Sequence, residues 1–267
     1  MGEATGQPLV LDSRGGLSTE QAVFDAAARA DVVVVGEQHD DPGAHRFEFA
    51  LLQALAERGR PVTLAMEMFE RDVQPALDAY LAGRIDEAQM LERARPWPNY
   101  QADYRPLLEL ARTQGWPVVA SNAPRRAAAQ IARQGLAALD ALAPARRAEV
   151  AAELQCGAGP YREKFVAALQ GMGGHAGSGG PTDLGRMFDA QCAKDETMAE
   201  TLAARMAPGA VVVHVNGAFH SDERLGLVER LQRRRPEAKI LVVSVVKGDG
   251  APGSVSGPPG DFVVRTP

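Results

Sequence analysis

Short aliphatic runs punctuate this chain, each stopping at a polar or turn-forming residue: Asp31 to Val35, Pro61 to Met66, Trp116 to Ser121, Ala210 to Val215, Lys239 to Val246 and, more weakly, Asp261 to Val264. Runs of this length without polar alternation read as strands buried on both faces. Between them apolar residues recur at helical spacing. Phe49, Leu52 and Leu55 predict a helix over His45 to Arg58, stopped by Gly59, with further helices over Val73 to Ala82, Ile85 to Ala94 and Pro106 to Gln114. Ser18, followed three residues later by Gln21, reads as the cap of a first helix. Strand alternating with helix predicts an α/β fold, a mostly parallel central sheet flanked by helices.

The alternation lapses between the third and fourth runs. From Arg125 to about Leu154 the chain is rich in Ala and Arg, then Gly-rich from Gly171 to Gly180, then helical again from Met187 to Met206. The expected organisation is one domain over residues 1–267, with a smaller helical subdomain inserted at about 125–206.

Two of the strand runs end in nearly the same word. Val32 to Val35 runs into Gly36-Glu37-Gln38-His39, and Val211 to Asn216 runs into Gly217-Ala218-Phe219-His220. Each glycine would permit a sharp exit from its strand. Ligands of open α/β sheets bind outside the carboxyl ends of the strands, so His39 and His220 should meet at one rim. Glu37, Glu67, Asn122 and Asn216 end strands on the same rim, and His45 opens the helix that follows His39. Carboxylates and imidazoles so placed can bind a divalent metal or set up a general base. The bland alternatives are a loop-capping His39, a solvent-facing His45, a helix-capping Glu67 and plain turn chemistry at Asn122. His214, inside a run, reads as a hydrogen-bonded core histidine.

Charge and cysteine content narrow the classes. With 29 Lys+Arg against 34 Asp+Glu the net charge is −5, which excludes nucleic acid as an expected partner, because phosphate binding needs a basic face. Cys156 and Cys192 lack metal-site spacing and read as free or buried thiols, with a disulfide as the alternative for a secreted chain. No stretch approaches the ~20 apolar residues of a membrane span. The opening Met1-Gly2-Glu3-Ala4 reads as an artificial start, which leaves room for a removed export signal. There is no Gly-x-Ser-x-Gly elbow, and Gly171 to Gly180 lacks the Lys-Ser/Thr ending of a phosphate loop.

Several motifs occur together in a fixed order: Glu37-Gln38-His39-Asp40-Asp41-Pro42, Met66-Glu67-Met68-Phe69-Glu70-Arg71 with Gln74, Tyr104-Arg105-Pro106-Leu107-Leu108, Ser121-Asn122-Ala123-Pro124, Gln191 with Asp195-Glu196-Thr197-Met198-Ala199, and Val215-Asn216-Gly217-Ala218-Phe219-His220. In this order they resemble the ChaN family, over about Val32 to Val246. The resemblance implies an α/β fold with a helical subdomain, and haem binding in iron uptake by a lipoprotein of the cell envelope. It also implies a homodimer that sandwiches haems through a tyrosine ligand with a histidine nearby. Tyr161, in the insertion beside Arg162, and His175 fit that pair, a neighbouring cation helping to hold a phenolate for ferric haem. The alternative for Tyr161 is an aromatic anchor under a helix, and Tyr104 is expected to sit against the sheet. The wider superfamily includes erythromycin esterases and the Tiki/TraB group. The rival expectation is therefore a hydrolase, with or without a metal, in which His39 supported by Glu37 or Glu67 and His220 activates water.

Overall fold

The structure, a computed structural model, describes residues 6–171, 181–248 and 259–267. It opens with strands β1 (Leu9–Asp12) and β2 (Leu17–Ser18) and helix α1 (Glu20–Ala27). Then follow β3 (Val32–Glu37), α2 (Pro42–Glu57), β4 (Val62–Glu70), α3 (Gln74–Leu81), α4 (Glu87–Ala94), a π-helical turn over Tyr100–Tyr104, α5 (Arg105–Gln114) and β5 (Val118–Asn122). The insertion supplies α6 (Arg125–Gln134), α7 (Pro144–Arg147), α8 (Pro160–Gly171) and α9 (Pro181–Arg205). After it come β6 (Val211–Gly217), α10 (Leu227–Arg234), β7 (Ile240–Lys247) and β8 (Phe262–Thr266).

Among the described residues the strands form one eight-stranded sheet in the order β2-β1-β8-β7-β3-β6-β4-β5. All neighbours from β8 to β5 are parallel, and β1 runs antiparallel to β8 and β2. The α/β expectation holds. The alternate side chains of β3 show why its valine run is uninterrupted. Val33 and Val35 join the core shared with α1 to α5, while Val32 and Val34 join the core shared with α9 and α10. A strand covered on both faces needs no polar alternation, and each valine so buried contributes about 1.5–3 kcal/mol.

Where expectation and structure differ, local chemistry explains it. Thr19 rather than Ser18 caps α1, its Oγ1 accepting from the Ala22 amide, because Ser18 is used by β2. Helix α2 begins at Pro42, before the expected His45, since Asp41 accepts from the Gly43 amide and Pro42 suits the first helical position. That shift moves His45 into the first turn, where it and Glu48 are both buried. Strand β4 runs on past Met66 to Glu70, with its register against β5 shifted beyond Met66. The reading of Cys156 and Cys192 as separate thiols is corrected: they form a disulfide across a sequence separation of 36, with Cα atoms 5.7 Å apart. Only the return of α9 past the segment before α8 brings them together, and spacing rules carry no trace of that.

Candidate functional site

Strand β6 lies between β3 and β4, which places the two Gly-x-x-His words side by side. Gly36 is in register with Asn216, and Glu37 with Gly217. Neither Gly36 nor Gly217 has positive φ, so a sharp exit is not why glycine is there. Close approach is the reason. A Cβ on Gly36 would lie 2.6 Å from Ser221 Oγ and 3.0 Å from Ala218 Cα, and one on Gly217 would lie 2.7 Å from His39 Nε2.

On the β3 side, Glu37 is buried at the strand end. Its Oε1 lies 2.8 Å from His39 Nδ1 and accepts from the Tyr104 hydroxyl at 2.7 Å. The π-helical turn over Tyr100–Tyr104 delivers that hydroxyl, a use typical of this rare element. Trp97 meets the His39 ring edge-on at 4.6 Å. With Nδ1 committed to Glu37, the His39 ring keeps Nε2 toward Gly217, and its side chain is 41% exposed. Behind it, His45 Nδ1 lies 3.1 Å from Glu37 Oε2 and 3.2 Å from Glu48 Oε2.

On the β6 side, the Gly217 amide donates to Glu67 Oε2 at 2.8 Å, and Glu67 Oε1 lies 3.3 Å from His220 Nε2. His220 Nδ1 meets Asp195 Oδ1 of α9 at 2.6 Å. Gln191, one turn earlier on α9, places its amide nitrogen 3.3 Å from His220 Nδ1 and donates to the Tyr161 hydroxyl at 3.2 Å. The strand-end cluster and Tyr161 thus form one contiguous polar network. The insertion is not remote from the sheet rim.

Charge follows from these contacts. Burial opposes the His220 imidazolium, but Glu67 and Asp195 outweigh it and raise its pKa to about 10. Burial likewise works against the Glu67 carboxylate, which His220 nevertheless holds well below the usual range. Glu37 is lowered to about 2, its burial outweighed by His39 and His45. His39 is raised, burial being overcome by Glu37 and then Glu67. His45 reaches about 11 as Glu37 and Glu48 outweigh burial, while burial and Glu37 push Glu48 well up. Tyr161, by burial and then by Asp195, is held protonated well above its usual range. His214 is the opposite case. Burial drops it to about 4, and the neutral ring bridges Ser121 Oγ at 2.9 Å and Asn216 Oδ1 at 3.0 Å.

A family model described as "Haem-binding uptake, Tiki superfamily, ChaN" matches residues 23–231. The chain belongs to the ChaN family. It is similar in structure to the cofacial haem-binding ChaN of Campylobacter jejuni, with TM-score 0.70, 15% identity and 98% of each chain covered. An erythromycin esterase in its open conformation is also similar, with TM-score 0.49 and 14% identity over 96% of this chain and 82% of that one. Among curated proteins it is similar to RETICULATA-RELATED 5, chloroplastic, of Arabidopsis thaliana, 23% identical over 247 residues. That alignment covers 84% of this chain but 32% of the plant protein, so the chain spans about a third of that relative.

For this ChaN-family chain, the structure gathers Glu37, His39, His45, Glu67 and His220 at one rim, and buries His45 rather than turning it to solvent. Asn216 lies behind them, donating to Ser221 Oγ and to the Gly217 carbonyl, and so braces the turn. Asn122 sits to the side, on the outer strand β5 and in register with Glu70. Tyr161 is buried against Phe188 and Phe219, and the cation over its ring is Arg230 at 5.3 Å, whereas Arg162 stacks on Phe188. His175 lies outside the described residues. Sequence reasoning placed three participants outside the cluster. Tyr104, quoted in a motif, was expected to sit against the sheet; Glu48 follows His45 by one helical turn, a visible signal once α2 is started at Pro42; Asp195 was quoted in a motif with Gln191, but nothing in the pattern of its helix aims it at the rim.

Proposed function

We propose that this chain binds ferric haem as a homodimer, at the cell envelope and in iron or haem acquisition. The family match over residues 23–231 carries this reading. A cavity of about 320 Å³ between the insertion and α10 supports it, lined by Tyr161 and Phe188 with Arg162, Glu229, Arg230 and Arg233. The two rings can meet a macrocycle, and the guanidinium groups suit carboxylates at its edge. The volume is near the lower bound of the roughly 300–1,000 Å³ of small-molecule sites, so one chain would cover part of a haem and a second copy the rest. Tyr161 is assigned as the iron ligand, and His175, outside the described residues, is the histidine proposed to accompany it. When bound, ferric iron supplies the positive charge that stabilises a phenolate. Tyr161 must then give up its proton and its contact with Gln191. The disulfide supports an oxidising compartment, and a lipid anchor belongs to the same proposal.

Haem titrated into the purified chain is expected to give a saturable absorption change. Tyr161→Phe should alter the ferric spectrum and weaken binding at least tenfold, about 1.4 kcal/mol. If haem leaves the wild-type spectrum unchanged the reading ends, and an unaltered variant moves the ligand away from Tyr161.

One observation favours a second reading, hydrolysis at the strand ends: His39 combines a half-exposed ring with an Nδ1 fixed by Glu37. In that reading Nε2 takes a proton from water and Glu37 stabilises the imidazolium, while His220 holds Glu67 in place beside them. A panel of esters, with metal-free and then metal-loaded protein, tests it. His39→Ala should lower turnover about a hundredfold and leave haem binding intact. His39 is the residue to change because His220 shares Gln191 with Tyr161. Absence of wild-type turnover removes this reading.

A further inference from the structure

Behind His39 and the Glu37 that fixes it lie two buried groups, His45 and Glu48, that neither haem capture nor a general-base histidine requires. We propose that Glu37, His45 and Glu48 form a site for one divalent first-row cation, of the Mn²⁺ or Zn²⁺ kind, reached from the groove between α2 and α5. One donor atom from each of these residues falls within 4.8 Å of the other two. Nδ1 of His45 stands 3.1 Å from Glu37 Oε2 and 3.2 Å from Glu48 Oε2. Nitrogen and oxygen ligands at about 2.0–2.2 Å from such an ion are separated by roughly 3.0–3.4 Å along the edges of its coordination shell.

The polar accounting points the same way. Glu37 and Glu48 are 2% and 1% exposed. Glu48 Oε1 nevertheless has no hydrogen-bond partner, and Glu37 Oε2 has only its ion-pair contact with His45 Nδ1. A buried polar atom left so costs about 1–3 kcal/mol, and more if charged. A dication would displace the protons that His45 and Glu48 hold without it, and the two carboxylates and neutral imidazole that remain carry a charge of −2, which the ion cancels.

The surroundings set the ligand atoms. His45 Nε2 donates to the His39 carbonyl at 3.3 Å, with Asp103 at 3.7 Å, and a proton on Nε2 leaves the Nδ1 lone pair for a metal. Glu37 is oriented from its other oxygen by Tyr104 and His39. Outer contacts of this kind commonly fix ligands in metal sites. A groove of about 390 Å³ lined by Pro42, His45, Phe49, Asp103 and Pro106 borders the imidazole and is the way in that the proposal assigns. Three protein ligands leave coordination positions for water or substrate. A cation there would bind the same carboxylate that holds His39, and so would position that ring.

The test uses the full chain, stripped with EDTA and titrated with Mn²⁺ and Zn²⁺ by calorimetry, with metal content and melting temperature measured alongside. One ion per chain and a raised melting temperature are expected for the wild type. Glu48→Gln and His45→Gln should each weaken binding at least tenfold, and Glu57→Gln, at an exposed carboxylate of the same helix, should leave it unchanged. Circular dichroism checks that each variant folds; if one does not, the other decides. No ion bound by the wild type overturns the proposal. So does binding that survives both substitutions, or binding weakened as much by Glu57→Gln, which would make it a general effect of surface charge. Haem is titrated into the metal-free protein, so the two outcomes are read independently.

Discussion

His220→Ala is expected to destabilise the fold by about 3–5 kcal/mol, because it leaves Glu67 and Asp195 buried without the cation between them. At a few degrees per kcal/mol for a chain of this size, the melting temperature should fall by roughly 10 °C or more. The effect carries a pH signature. A histidine whose pKa rises from 6.5 to about 10 on folding contributes fully below pH ~6.5, and the contribution is lost as pH rises through 10. Wild-type stability should therefore decline over that window, and the variant should lack that part of the decline. Thermal melts of both proteins from pH 6 to 10 make the comparison. A variant that melts with the wild type at pH 6.5 would show that His220 is not the buried cation.

Opening the Cys156–Cys192 disulfide is expected to cost about 3–4 kcal/mol. The bond closes a loop over a sequence separation of 36, and freeing a loop of that length returns its conformational entropy to the unfolded chain. Urea denaturation with and without reductant, beside the Cys156→Ser/Cys192→Ser chain, measures the difference. The double variant should match the reduced wild type. Two free thiols in denatured, unreduced protein would contradict the bond itself. The loss should also reach the cavity proposed for haem, because Cys192 is clustered with Tyr161 and Phe188. Haem affinity should fall with stability if the insertion is the binding element.

Much of this arrangement was legible in the residues. An unbroken valine run has one economical explanation, a strand covered on both faces, and β3 and β6 are such strands. Carboxyl ends of parallel strands share a rim, so Glu37, His39, Glu67 and His220 could be grouped from their positions alone. What stayed hidden depends on contacts between distant segments. Asp195 belongs to the site only because α9 crosses behind β6, and Tyr104 only because a π-helical turn rotates its hydroxyl onto Glu37. The two motif glycines were noticed for the wrong reason. Sequence suggests backbone freedom at such positions, whereas the structure uses their missing side chains to let two turns touch. Strands β1 and β2 are too short for a periodic signal and owe their existence to the free edge of β8.

The place of β6 in the sheet has a consequence for synthesis. β3, β4 and β5 leave the ribosome long before Val211–Gly217, yet β3 and β4 each pair with β6 and not with each other. A nascent chain therefore holds its two best strands apart with open facing edges, a state exposed to misassociation until the late strand arrives. Its arrival does two things at once. The gap in the sheet closes, and the Gly217 amide reaches Glu67 while His220 comes under the same carboxylate. The two-histidine rim is then a property of chains that include β6, and an amino-terminal fragment that folded around β4 and β5 would carry the first Gly-x-x-His word complete and none of the second.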